Sequence, residues 1–204
     1  MANADTPFGL RPLRHRNGAP YNGAATPYVV AAGDATALFV GDPVVVTGES
    51  NTAEVEAPGA GSFKPGTLPV VTRATAGANN DITGVIVAVA ADPTDLENQF
   101  RVASTERIVF VADDPDLVFE IQEDSAGGAL AAGAVGGNAN LVAGAGSQIT
   151  GLSGFELDSS TLATTNTLQL RIERLANRED NEIGDQAKWE VSILQHSMLN
   201  LTGV

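Results

Sequence analysis

The sequence predicts a mainly β protein: an antiparallel barrel-like or sandwich body with little helix, preceded by an extended N-terminal arm. Three observations predict it. Twenty-two glycines and ten prolines among 204 residues impose frequent turns, which suits many short strands better than long helices. Hydrophobic residues make up 43 % but aromatics only 5 %, so the core must be built mainly from Val, Leu, Ile and Ala. The opening stretch shows neither a helical nor a strand period and carries Pro7, Pro12 and Pro20. Each proline fixes its own φ and pushes the preceding residue out of the helical region, so this stretch is neither a helix nor a central strand. The division that follows is an arm over 1–27 and a β-rich body over 28–204, the body separable into two small β subdomains near residue 125.

The elements follow in order. Tyr28 to Ala31 is a short strand ended by Gly33-Asp34. Leu38-Phe39-Val40 leads through Gly41-Asp42-Pro43 to Val44-Val45-Val46-Thr47, a β-branched run buried on both sides or at a barrel wall. Pro43 can only open that strand, because it has no N–H for a ladder. Residues 48–66, with four glycines and three glutamates, read as a long exposed loop. Leu68 to Thr72 and Ile82 to Val89 are the next strands, and Gly84 marks a bulge or a close backbone approach. Arg107 to Ala112 and Leu117 to Gln122 flank Asp113-Asp114-Pro115-Asp116, the turn chemistry of a hairpin.

Residues 125–155 carry no charge over 31 positions. One or two helical turns fit Gly128 to Val135, with short strands near Leu141 and Ile149. Disordered tracts usually carry charge or proline, so this one is expected to pack against the body or a neighbouring subunit. In the final hairpin, Leu168, Leu170 and Ile172 alternate with polar residues, as do Trp189, Val191 and Ile193. Each strand therefore has one apolar and one polar face, and the acidic stretch 176–187 is a solvated loop between them.

The net charge is −14, from 25 acidic and 11 basic residues. Residues 1–27 carry +2, from Asp5 against Arg11, Arg14 and Arg16, which leaves −16 on the body. So acidic a body is repelled by phosphate backbones and argues against nucleic-acid binding. Without cysteine, thiolate chemistry, disulfides and Cys-based zinc sites are excluded. No secretory signal opens the chain and no apolar run is long enough to cross a bilayer, so a soluble product made in a cytoplasm is expected.

No cofactor, metal or catalytic site is expected. His15 and His196 are the only histidines, too few for a zinc centre without carboxylates, and both suit strand-end or interface hydrogen bonding. Asp113 to Asp116 and Asp180 to Asp185 lack EF-hand spacing and sit at turns, where Asp and Asn are at home. Gly151-Leu152-Ser153-Gly154-Phe155 lacks the last glycine of a nucleophile elbow. Gly59 to Lys64 lacks the spacing of a phosphate loop. The arm, by contrast, carries Phe8, Leu10, Leu13 and Tyr21, apolar residues that an idle tail does not need. Arg11, Arg14 and Arg16 offer forked donors to carboxylates on a partner or a second copy. These seven are the candidate contact residues, and removal of residues 1–23 is expected to leave the body folded.

The opening Thr6-Pro7-Phe8-Gly9-Leu10-Arg11-Pro12 with Asn17-Gly18-Ala19-Pro20-Tyr21-Asn22-Gly23 resembles the start of the capsid cement, or decoration, proteins of tailed bacteriophages. Further blocks that look similar are Leu38-Phe39-Val40-Gly41-Asp42-Pro43-Val44, Gly84 to Val87, Asp113-Asp114-Pro115 leading to Phe119-Glu120-Ile121-Gln122, and the closing Leu170-Arg171-Ile172, Trp189-Glu190-Val191 and His196. The resemblance implies a non-enzymatic β protein, a homotrimer on the outer surface of an expanded capsid at three-fold and quasi-three-fold positions. Its partners would be the major capsid protein and sister copies, with no nucleic acid and no membrane. The alternatives are a tail or fibre component and, more remotely, a hydrolase using paired carboxylates.

Overall fold

A computed structural model describes residues 3–58 and 61–199. The fold is mainly β. Its strands are β1 (Arg11–His15), β2 (Thr26–Val30), β3 (Pro43–Ser50), β4 (Val55–Ala57), β5 (Gly61–Phe63), β6 (Pro69–Arg73), β7 (Gly84–Val89), β8 (Arg107–Ala112), β9 (Leu117–Gln122), β10 (Asn138–Ala139), β11 (Leu141–Val142), β12 (Glu156–Leu157), β13 (Leu170–Leu175) and β14 (Lys188–Ile193). Helix among the described residues is confined to 3₁₀ turns at Ala132–Ala134, Ser159–Thr161 and Ser197–Leu199.

Strands β2-β6-β3-β7-β8 close into a barrel, in which β2 and β6 run parallel and the other neighbours antiparallel. Alternate residues of each strand, Tyr28, Val30, Val44, Val71, Ile86, Val109 and Val111, fill its interior with Leu38, as the period of two requires in a small barrel. Their neighbours face outward on two sides. Val29, Val70 and Ile108 are covered by Val55, Ala57 and Phe63 of a β4–β5 hairpin. Val85 and Ala112 pack into the largest core, beneath a five-stranded sheet ordered β1-β9-β14-β13-β10. That sheet's apolar face carries Leu117, Phe119, Ile121, Leu170, Ile172, Trp189, Val191 and Ile193.

Several expectations change here. Residues 48–66 are not a plain loop: β3 runs on to Ser50, and the Val-Glu-Ala alternation at 55–57 buries Val55 and Ala57 on the barrel wall. The runs at 107–112 and 117–122 do not form a hairpin. The turn between them is real, with Leu117 N–H donating to Asp114 O at 3.1 Å and Asp116 N–H to Asp114 Oδ1 at 2.8 Å. Its strands part, however: β8 pairs with β2 and β7 in the barrel, and β9 pairs with β1 and β14 in the sheet. Asp113 holds the parting point by accepting from the Thr26 and Tyr28 hydroxyls at 3.0 and 2.9 Å. The chain thus passes from barrel to sheet at 113–116.

Two finer expectations hold. At Gly84 a Cβ would lie 2.5 Å from Ala112 O and 2.7 Å from Val111 Cγ1, the close approach that its place in a strand suggests. The uncharged tract packs on the body, with Leu130, Ala134, Ala139 and Leu141 in the main core.

Candidate interaction surface

The N-terminal segment is extended, and it lies on its own body. Phe8 is 7 % and Leu10 1 % exposed, and Leu10 N–H donates to Gly41 O at 3.0 Å. The two backbones touch. Gly9 has φ +72°, and a Cβ there would overlap Gly41 O and stand 2.5 Å from Ser153 Cβ. Gly41 has φ +96°, and a Cβ there would overlap Phe8 O. Only glycine satisfies both the left-handed conformation and the lack of space. Beside this contact, the buried Asp42 carboxylate accepts from Phe39 N–H at 2.9 Å. Burial pushes its carboxyl pKa up, and hydrogen bonds from Ser153 and Phe39 oppose the shift.

Beyond this lock the segment becomes β1, an edge strand antiparallel to β9, with its register shifting between Pro12 and Arg14. An edge position is where a residue without an N–H is tolerated. The chain then turns back, with Tyr21 N–H donating to Leu13 O at 3.0 Å and the Tyr21 hydroxyl to Ala24 O at 2.9 Å.

On the face of the sheet opposite the core, guanidinium and carboxylate groups interleave. Arg11 and Arg178 approach Glu120 at 3.7 and 3.0 Å, and Arg14 and Arg174 approach Glu190 at 2.8 and 2.9 Å. Arg16 donates to Ser192 Oγ at 2.8 Å and lies 3.9 Å from Glu173, to which the Ser192 hydroxyl donates at 2.7 Å. Glu120 and Glu190 are only 3 % and 6 % exposed, since the arginine stems lie over them. Arg178 closes two N–H bonds on Asp180, at 2.8 and 2.9 Å. These bonds, with that to Glu120, raise its pKa further.

The structure therefore brings Arg11, Arg14 and Arg16 onto one face, places Phe8 and Leu10 in the chain's own core, and leaves Leu13 and Tyr21 half-buried, Tyr21 against the main core. Sequence reasoning missed Arg171, Arg174, Arg178 and Lys188, which join the three. The signal was present in the alternation of Arg171 with Ile172 and of Lys188 with Trp189. Seven of the eleven basic residues thus gather at one sheet face, against Glu120, Glu173, Glu190 and Asp180, which they contact, and Asp5 and Glu156, which are held by Gln122, the cross-strand neighbour of Lys188. On a chain of net charge −14, the cations of this face are not outnumbered by the carboxylates they meet. Arg171 is exposed and forms no ion pair among the described residues.

Both histidines contact their own chain. His15 Nδ1 lies 3.1 Å from Asp114 Oδ2. His196 is buried and accepts from Met198 N–H at 3.2 Å, its pKa lowered by burial. Among the described residues no group of three or more His, Cys, Asp or Glu is placed to hold a metal. Comparison with family models, curated proteins and solved structures returns no match.

Proposed function

We propose that this chain is a structural virion protein that seats on the outer surface of a phage capsid and braces contacts between major capsid protein subunits. Its role is mechanical rather than catalytic, and it acts as a homotrimer, so that three copies share one site and many modest contacts add up over a shell. The observation that carries the reading is the union of the resembling blocks. Thr6 to Pro12 and Leu38 to Val44, separated in sequence, meet at the Gly9–Gly41 contact and form one unit. Next to that unit lies the cation-rich sheet face, which suits a carboxylate-bearing protein surface, while the rest of the acidic chain suits a side turned away from packaged DNA.

The contact set follows from accessibility. Arg11, Arg14, Arg16, Leu13 and Tyr21 remain candidates for capsid or subunit contact, with Arg171 and Arg174 added. Phe8 and Leu10 instead hold the segment to its own body. Mixing purified protein with undecorated, expanded heads tests the proposal: co-sedimentation to a saturating ratio is expected. Folded protein that stays in the supernatant, or that forms tubes or fibres without heads, contradicts it.

A further inference from the structure

Lys188 is the least explained charge in the molecule. It opens β14, is 4 % exposed, and among the described residues its ammonium group forms no hydrogen bond or ion pair. Asp180 is near enough for its carboxyl to be stabilised by the Lys188 charge, but Asp180 is already held by two bonds from Arg178. The side chain is almost wholly buried, yet its Nζ is not among the fully buried atoms that lack a hydrogen bond, so the ammonium opens onto solvent with no protein acceptor and is free to take an opposite charge with good hydrogen bonds.

Lys188 lines a pocket of about 470 Å³ between the N-terminal segment, the 145–154 loop and the 178–188 return. Arg11 and Arg178 also line it, with Ser147 and Thr150 across from them. Arg178 is fully engaged by Asp180 and Glu120. Arg11 stacks on Phe8, its guanidinium carbon 4.4 Å from the ring centroid, and stays half exposed. The Ser147 and Thr150 oxygens accept from Thr150 N–H and Leu152 N–H at 3.2 and 3.4 Å, and among the described residues neither hydroxyl donates. Unused donors therefore converge: the Lys188 ammonium, two hydroxyls and part of Arg11.

We propose that this pocket is a carboxylate-binding site, with Lys188 Nζ as the principal donor and the Ser147 and Thr150 hydroxyls completing the contact. The charge balance selects a monoanion. Arg11, Arg178 and Lys188 face Asp180 and Glu120, an excess of one positive charge, which a carboxylate neutralises and a phosphate dianion overshoots. The volume exceeds that of a bare ion and suits a carboxylate carried on something of amino-acid size. The site does not depend on the capsid reading, since a free small carboxylate and an Asp or Glu side chain of a partner present the same group.

The chain has two lysines, Lys64 and Lys188, and Lys64 is exposed, so lysine-selective ¹⁵N labelling gives a reporter and an internal control. The full chain would be titrated at constant ionic strength with sodium acetate, with the N-acetyl amide of aspartate, and with inorganic phosphate. A saturable shift of the Lys188 ammonium with both carboxylates, with Lys64 unmoved, is expected. Tighter binding of the aspartate amide assigns the site to a partner's side chain; equal or tighter binding of acetate assigns it to a free carboxylate. No saturable shift, parallel shifts of both lysines, or an equal response to phosphate overturns the proposal. Since Lys188→Gln could disturb the sheet, the exposed pair Ser147→Ala with Thr150→Val is the second test. It should weaken the carboxylate at least threefold with Lys188 still reporting, and unchanged affinity contradicts the donor set.

Discussion

At the residue scale, the decisive positions are those with no room and those with buried charge. Gly9→Ala or Gly41→Ala forces a Cβ into a carbonyl oxygen at positive φ. Backbone strain alone is worth about 1–3 kcal/mol, and the overlap adds to it. Gly18→Ala is the control: φ is +89° there but nothing lies within 4 Å, so only the backbone strain of about 1–3 kcal/mol remains, without the overlap. Urea midpoints of the three variants should separate accordingly. Glu123 supplies a pH test. Its carboxylate accepts from Trp189 Nε1–H at 2.9 Å and from Leu130 N–H at 3.2 Å. Burial nevertheless raises its pKa above the ordinary 4.5, with those bonds opposing. A group that binds its proton more tightly when folded adds stability as pH falls through its folded pKa toward its unfolded one. Wild type should therefore gain stability relative to Glu123→Gln between pH 7 and about 4.5. A constant difference across that range would contradict the assignment. Arg101 was legible only as part of a weakly alternating stretch. In the fold it is fully buried and donates to Thr105 O, Thr36 O and Ala31 O at 2.8, 2.5 and 2.8 Å, tying loops that are distant in sequence. Nothing local announces such a role.

At the element scale, the N-terminal segment is part of the fold. Removing residues 1–23 takes away Phe8, Leu10 and the strand that covers one edge of β9, so the deletion should destabilise the body. Leu10→Ala alone should cost about 2–5 kcal/mol. The deletion should lower the melting temperature by about 10 °C or more, at about 2–4 °C per kcal/mol for a chain this long, and the bared β9 edge should promote association. Thermal unfolding and sedimentation of the truncated chain check both. Elements with their own period were readable in sequence: β13 and β14 from Leu170, Ile172, Trp189 and Val191, and the opening of β3 from Pro43. The pairing of β8 and β9 was misread because turn chemistry at 113–116 reports a local bend and says nothing about which sheet each strand joins. The β4–β5 hairpin was hidden because three-residue strands carry too little alternation to stand out from glycines and glutamates.

At the scale of the whole molecule, the charge is sorted. Seven of eleven cations lie at one sheet face of a chain whose net charge is −14. Composition showed the imbalance but not its placement, because Arg11, Arg171, Arg178 and Lys188 converge only through the sheet order. The carboxylate pocket was illegible for the same reason: its walls come from three distant segments. Arg171→Glu tests the meaning of this sorting. That side chain is exposed and without an ion pair among the described residues, so its reversal should leave the melting temperature within about 1–2 °C. The most direct measurement is the binding of wild-type and Arg171→Glu protein to undecorated, expanded heads over a range of salt. Wild-type protein should bind saturably and less tightly as salt rises, and the folded variant should bind at least fivefold more weakly. Folded wild-type protein that does not bind heads would contradict the capsid role. Binding indifferent to both salt and Arg171→Glu would contradict the assignment of the sheet face as the contact.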